Sequence, residues 1–542
     1  MSEITEIWKK YERGRDHHHK MSIFNDTDKC WRFFEGDHWH GLERDGENLP
    51  IHNFIKPTIR FKTAMIAQNL MSINYSSMNT DNQVLMAEIC QKLNKYASTI
   101  WELRKMDSKV WDIIKSAMVT GDAYIYFYDA DLNCQQIDRK NIYLSDEQEP
   151  DIQRQKHVII YERRFVDDVK KDAKANGIKD IDSIVPDEDT DNLSINGKNE
   201  VKTEDGKCSC LLELRKNKNG YISIRRSTKT VIYQEETEIT GLTTYPIASL
   251  IIDKKYESAR GNGEVLSLIP NQIETNKVLA WRLISTQLSA FPKPVYNREF
   301  ISNPASIGKV GMAIEVDSPN VQDIKKAFDY VYPAQMSGDV KVLQDELLHT
   351  TRDLAGAGDA ATGNINPEKA SGAAIIAVRD QAAIPMNEHI ANYQQFVEDV
   401  ANIWFGMWIA YNPNGMNVTY EEQGETITET IPAEVLQELK IHTRIDVSSK
   451  NPFSKFAREQ ALENALAQQH ITFEEYVEAL DEDSTAPKAK FEMVLESRGQ
   501  ATPEQLMGII EQQGQMLEML QGGGANEMQP MPEPTANPEL PL

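Results

Sequence analysis

Apolar positions first recur at helical spacing. Ile59, Thr63, Ile66 and Leu70 advance in steps of three and four, which predicts a helix within residues 53–73, after Pro57. Val84, Ile89, Leu93, Tyr96 and Ile100 predict a second helix over 81–104, and a third spans 107–120, with Gly121 as its C-cap. Residues 1–20 are polar and helix-prone. Residues 24–42 concentrate Trp31, Phe33, Phe34 and Trp39 among acids and histidines. They read as an amphipathic helix from Asp26 into a loop at Gly36, its aromatic residues being core or subunit interface rather than a base-stacking platform. The period then changes. Residues 123–128 (Ala-Tyr-Ile-Tyr-Phe-Tyr) and 158–161 are β-prone. Between them, residues 129–133 mimic the start of a calcium loop, but Cys134 and Lys140 occupy the positions that need Gly and Glu, so a hairpin turn is expected. A short helix over 167–177, a mobile acidic loop over 182–206 and strands over 208–235 around the turn 217–220 complete an α+β first half.

A longer helical pattern starts after Gly261 and Gly263. Ile269, Ile273, Ala280, Ile284 and Leu288 share one face. Proline is tolerated in the first turn of a helix, so Pro270 sets the expected helix at 270–290, stopped by residues 291–294 (Phe-Pro-Lys-Pro). Residues 292–335 read as a compact module with strands near 295–300 and 309–316 and a helix near 321–328. A helix over 337–354 follows, then a Gly-, Ala- and Asn-rich loop, then a helix over 368–410 that Pro385 must kink or break. Residues 415–450 suggest a small β-region and 453–520 helical pieces. The Gly- and Pro-rich stretch 521–542 is expected to be disordered.

Composition narrows the function classes. The 542 residues carry 58 Lys plus Arg against 83 Asp plus Glu, a net charge of −25, which excludes a simple high-affinity nucleic-acid binder. Mean hydropathy is −0.51, and no apolar run approaches the ~20 residues of a membrane span. The charged N-terminus has no apolar signal-peptide core, so synthesis in the cytosol is expected. The five cysteines (30, 90, 134, 208 and 210) do not make a disulfide framework. Cys208 and Cys210 lack the further ligands a zinc site needs and read as two strand residues on one face. His17, His18 and His19 read as a solvated helix face.

The chemistry-bearing motifs are missing. The sequence contains no P-loop, no H-E-x-x-H and no G-x-S-x-G. Gly356, Gly358 and Gly363 have the wrong spacing for a dinucleotide fingerprint and follow a helix instead of a strand. No cofactor, catalytic residue or metal ligand is assigned.

The order of elements carries more information than any motif. Two long helices flank one small module, placing it at the far end of a stalk, and a small-residue loop returns to the other end. On this order the sequence resembles the portal proteins of tailed bacteriophages, the head-to-tail connectors. The matching stretches are residues 121–126 (Gly-Asp-Ala-Tyr-Ile-Tyr), 261–265 (Gly-Asn-Gly-Glu-Val) leading into 271–277 (Asn-Gln-Ile-Glu-Thr-Asn-Lys), and 362–374 (Thr-Gly-Asn-Ile-Asn-Pro-Glu-Lys-Ala-Ser-Gly-Ala-Ala).

The resemblance implies an α+β, mainly α fold with wing, stem, clip and crown. Residues 1–260 would be the wing, 261–291 and 336–355 the stem helices, and 292–335 the clip. Residues 356–368 would be a tunnel loop, 369–449 the kinked helix and the rest of the wing, and 450–520 a helical crown. It further implies a ring, a dodecamer in this family, at one capsid vertex of the virion, assembled in the host cytoplasm. Double-stranded DNA would pass through it. Implied partners are the large terminase subunit, the head–tail adaptor, and the major capsid and scaffold proteins. Gly356, Gly358, Asp359, Thr362, Gly363, Asn364 and Asn366 would face DNA in the tunnel loop, and Lys293, Arg298 and Lys309 would meet the motor or adaptor. Lys341, Arg352 and Lys369 either face the channel or pair with acids such as Asp345 and Asp353 of neighbouring subunits. The competing classes are a metal-dependent nuclease or other DNA-processing phage enzyme, and a monomeric cytosolic scaffold.

Overall fold

A computed structural model describes residues 3–42, 49–79, 82–187, 206–291, 293–298, 301, 328–331, 336–354, 356, 384–422 and 425–449, and the short pieces 462, 465–468, 470–480, 488 and 490–491. The chain divides into two compact units, 1–449 and 450–542. In the first, helices α1 (Glu3–Lys20), α2 (Ile23–Glu35) and α3 (Ile55–Ala67) lead to strand β1 (Asn69–Ser77). Helices α4 (Gln83–Leu103) and α5 (Met106–Thr120) precede β2 (Asp122–Phe127), β3 (Cys134–Ile137), β4 (Ile142–Leu144) and β5 (His157–Phe165). Helix α6 (Val166–Ala175) is followed by β6 (Lys207–Lys216), β7 (Ile222–Thr228), β8 (Ile232–Ile239) and β9 (Ile247–Ile251). Two short strands, β10 (Asp253–Lys254) and β11 (Gly261–Asn262), introduce α7 (Glu264–Ala290). Then come β12 (Lys293–Tyr296), β13 (Phe328–Val331), α8 (Asp339–Leu354), α9 (Asn387–Tyr411), β14 (Met416–Glu422), β15 (Glu425–Ile431), α10 (Ala433–Glu438) and β16 (Ile441–Ser449). In the second unit, α11 (Phe473–Ala479) starts with a capping box between Thr472 and Glu475.

This is a mixed helix-and-strand protein compatible with the α+β class. Its larger sheets run in the orders β4-β5-β6-β7-β8 and β3-β2-β9, and every strand pair among the described residues is antiparallel. Strand β2 is buried along its whole length. Helix α9 packs over it, with Trp404 edge-on to Phe127 at 6.1 Å and Trp408 against Tyr75. The hydroxyl of Tyr75 donates to the Ala401 carbonyl at 2.9 Å, so this aromatic core spends its polar atom on a backbone acceptor. Trp404, Phe405 and Trp408 are core residues. Phe33 and Phe34 are also buried, whereas Trp31 packs against the core at its edge.

Several boundaries differ from expectation. Leu70 belongs to β1, not to the preceding helix. From Met71 to Tyr75 the odd positions turn inward and the even ones outward, and the strand pairs with β16 far along the chain. Helix α7 begins at Glu264, so Pro270 lies inside it. Proline cannot donate to the Leu266 carbonyl; both residues are exposed, so water can take that acceptor. The first strand of the 292–335 module is 293–296. Phe328 is in strand β13 instead of ending a helix, and the expected strand over 309–316 lies outside the described residues. Pro385 stands in a short 3-10 turn, Ile384–Met386, immediately before α9; residues 357–383 lie outside the described ones. Residues 129–133 form the β2–β3 turn, with Asp129 Oδ1 accepting from the Asn133 backbone at 2.8 Å.

His18 overturns the reading of the histidine run. Ile7, Tyr11, Gly14 and His18 fall on one face of α1, and His18 is fully buried. Tyr11 stacks on Tyr161, and the His18 ring stacks on Tyr143 at 4.5 Å. Cys208 and Cys210 are buried on one face of β6, as expected, with sulfurs 3.9 Å apart.

Three glycines interlock where α5 ends and α7 begins. Gly121 has φ +110°, and a Cβ there would lie 2.4 Å from the Gly261 carbonyl oxygen. A Cβ on Gly263 would meet the Val119 carbonyl at the same distance. Gly121→Ala is therefore expected to cost about 3 kcal/mol or more through strain and overpacking. Gly220→Ala, in an open turn at φ +83°, should cost only about 1–2 kcal/mol. Urea unfolding of the two variants checks this; equal costs would show that the close approach is not tight.

Candidate interaction surface

Helix α7 changes character along its length. Val265, Leu268, Ile269, Gln272, Thr275, Asn276, Val278 and Ala280 are buried, but nothing after Ala280 is. At 1.5 Å per residue, 27 residues make a rod of about 40 Å, a third of it standing free of the core.

The buried half is fixed by two amides. Gln272 accepts from the Phe54 backbone at 3.1 Å and donates to the His52 carbonyl at 2.7 Å. Asn276 accepts from the His52 backbone at 3.1 Å and donates to His38 Nδ1 at 2.8 Å. That bond sets the tautomer: His38 Nε2 carries the proton and donates to the Phe33 carbonyl at 2.8 Å. Burial lowers the His38 pKa, which keeps the ring neutral. Gln272 and Asn276 belong to the 271–277 stretch noted in the sequence, and their part in anchoring α7 was not legible there. Asn271 of the same stretch donates to Thr351 of α8 at 3.0 Å, and Arg282 bonds to Gln344 further along. The two contacts make α7 and α8 an antiparallel pair.

At its base α7 is held by a buried charge network. The Arg260 guanidinium is 2.8 Å from both Glu147 oxygens, 3.5 Å from Asp122 and 2.9 Å from the Ile142 carbonyl. It also donates to His18 Nε2 at 3.1 Å. Arg139 pairs with the other Asp122 oxygen at 2.9 Å. Burial alone would raise the Glu147 pKa, but Arg260 holds it well below the usual carboxylate range. Burial, aided by the Arg260 charge, lowers His18 to about 4. The unfolded chain protonates this ring near pH 6.5 while the fold resists until about pH 4. Stability from His18 is thus full above pH 6.5 and is lost as pH falls towards 4, by roughly 2–3 kcal/mol at pH 4.5. His18→Gln keeps an acceptor for Arg260 without titrating. Its urea stability should fall less than wild type between pH 6.5 and 4.5; parallel curves would contradict the assignment.

The free part of the hairpin is apolar. Trp281 is 56% exposed, Phe291 79% and Val342 63%, joined by exposed Leu288, Val295 and Val331. Strands β12 and β13 pair here, from Lys293↔Val331 to Tyr296↔Phe328. Large apolar side chains are thus exposed on α7, α8 and the β12–β13 pair.

The sequence-derived site residues distribute as follows. Lys293 is exposed on β12 and Arg298 is exposed just beyond it. Lys341 is exposed in the first turn of α8 and Arg352 half-buried in its last; neither forms an ion pair with the described residues. Gly356 sits in a turn after α8 at φ +67°. Gly358, Asp359, Thr362, Gly363, Asn364, Asn366, Lys369 and Lys309 lie outside the described residues. Among the described residues, no group of three or more His, Cys, Asp or Glu side chains is placed to hold a metal ion. No described helix is long and apolar enough to cross a membrane.

No protein-family model matches the sequence, and no curated protein matches it.

Proposed function

We propose that this chain is the subunit of a phage portal: a ring at one capsid vertex through which double-stranded DNA is packaged and ejected. The observation that carries the reading is the exposed apolar surface on the α7–α8 hairpin and its two-stranded tip. A single chain gains nothing by presenting Trp281, Phe291 and Val342 to water; copies packed side by side would cover them. Helix α7, the described strand pair β12–β13 and the antiparallel α8 also follow in the order expected of stem, clip and stem. In this reading residues 1–260 and 369–449 form the wing and 450–520 the crown, with no enzymatic step. The clip, with Lys293, Arg298 and Lys309, docks the large terminase subunit and then the head–tail adaptor, while the wing meets capsid and scaffold proteins. Net charge fits a channel that lets DNA slide. A subunit of −25 repels phosphate except at chosen cations such as Lys341, Arg352 and Lys369.

Negative-stain electron microscopy of the purified protein tests this. Rings with a hole of duplex-DNA width support the portal; a monomer at every concentration, with or without scaffold protein, removes it. Deleting residues 358–364 should leave rings intact while packaging or DNA retention fails, because that loop is rich in small residues and lacks large anchors. Loss of assembly on deletion would make the loop structural.

A further inference from the structure

Helices α2, α3 and α5 line a groove of about 650 Å³, within the size range of small-molecule sites. Its buried lining includes Ile59 and Thr63; the Thr63 side chain is 4% exposed and its hydroxyl has no hydrogen-bond partner. Trp31 and Trp111 add aromatic surface, and Trp111 is 44% exposed. Three cations reach the groove. Lys56 is 3.0 Å from Glu35 and sits over the Phe34 ring, and Lys115 is 2.6 Å from Asp112. These pairs neutralise each other. Arg60, exposed and one helical turn from both Lys56 and Thr63, has no ion-pair partner among the described residues. A protein of net charge −25 thus keeps an uncommitted guanidinium in the same groove as an exposed indole.

Each feature constrains a ligand. Indole faces favour a flat π-system, and a guanidinium favours an oxyanion. An apolar peptide would leave Arg60 unpaired, and bare phosphate would leave the indoles uncovered. Duplex DNA hides its base faces, so the groove is not an extension of a duplex channel. The geometry points to a binding site for a nucleoside monophosphate, free or as the 5′-phosphorylated end of a single strand, with its base against Trp111 and its phosphate on Arg60. This holds whether or not the chain forms rings.

Isothermal titration of the full chain with AMP, adenosine, inorganic phosphate and a 5′-phosphorylated pentadeoxyadenylate tests it. One AMP should bind per chain, and adenosine or phosphate alone at least tenfold more weakly. Arg60→Ala and Trp111→Ala should each weaken AMP at least tenfold. Both side chains are exposed, so the variants fold, and Arg154→Ala, exposed and outside the groove, should bind as wild type. Competition by the pentanucleotide assigns the site to strand ends; its failure to compete assigns it to free nucleotide. No heat with AMP up to millimolar concentration, or binding unchanged in both groove variants, overturns the proposal.

Discussion

If the chain forms the proposed ring, Trp281→Glu is expected to convert it to monomers while leaving each chain folded. The ring is half exposed and lies beyond the last buried residue of α7, so little core packing is lost. An exposed substitution of this kind usually changes stability by less than about 0.5 kcal/mol. In an assembly the balance reverses. The remaining exposed indole area is worth roughly 2–3 kcal/mol when buried at about 25 cal/mol per Å², and a carboxylate placed there must also be desolvated. In a closed ring every subunit repeats the defect at both of its neighbours. Trp281→Phe retains most of the apolar area and should keep the assembly. Mass photometry at micromolar concentration, with circular dichroism for folding, reads both. Undiminished rings in the glutamate variant would move the subunit contact elsewhere.

The largest effect on folding is expected from Arg260→Ala. This side chain is 4% exposed and lies among Glu147, Asp122, His18 and three backbone or phenol oxygens. Its removal leaves Glu147 buried without its cation and two carbonyls without their donor. Breaking a buried pair from one side costs about 3–5 kcal/mol, because the surviving charge has nowhere to solvate. Arg139 still covers one Asp122 oxygen, so Asp122 is the lesser casualty. Arg154→Ala removes an exposed arginine near Glu149 and Asp151, and should cost under about 1 kcal/mol. A urea-midpoint loss in Arg260→Ala no larger than in Arg154→Ala would show that the network contributes little.

What the sequence disclosed was mostly local. The helices at 83–103 and 106–120 and the β6–β7–β8 meander follow from periodicity and turn residues alone. Strand β1 was hidden because Leu70 continues the helical spacing of Thr63 and Ile66, while its partner β16 lies hundreds of residues away. The alternation Met71-Ser-Ile-Asn-Tyr75 was the signal available. His18 was masked by its histidine neighbours, although Ile7, Tyr11 and Gly14 already marked a buried face. Pro270 misplaced the start of α7, because a proline on the wet side of a helix costs less than the rule for a buried one implies. The apolar hairpin surface was not legible, since Trp281 and Leu288 look like core residues until the fold leaves them outside. Arg260 gives no sign in the sequence that its partners come from four separate segments.

The ladder between β1 and β16 also sets a clock. Asn69 finds Ser449, and Ser77 finds Ile441. At a synthesis rate of about 5–20 residues per second, β1 waits roughly 20–70 s for its partner to leave the ribosome. Throughout that interval one edge of β1 offers unpaired backbone groups to any other extended strand, including β1 of a neighbouring nascent chain. Slower translation is therefore expected to lower the yield of folded chain, and a chain stopped short of Ile441 leaves β1 without its partner strand.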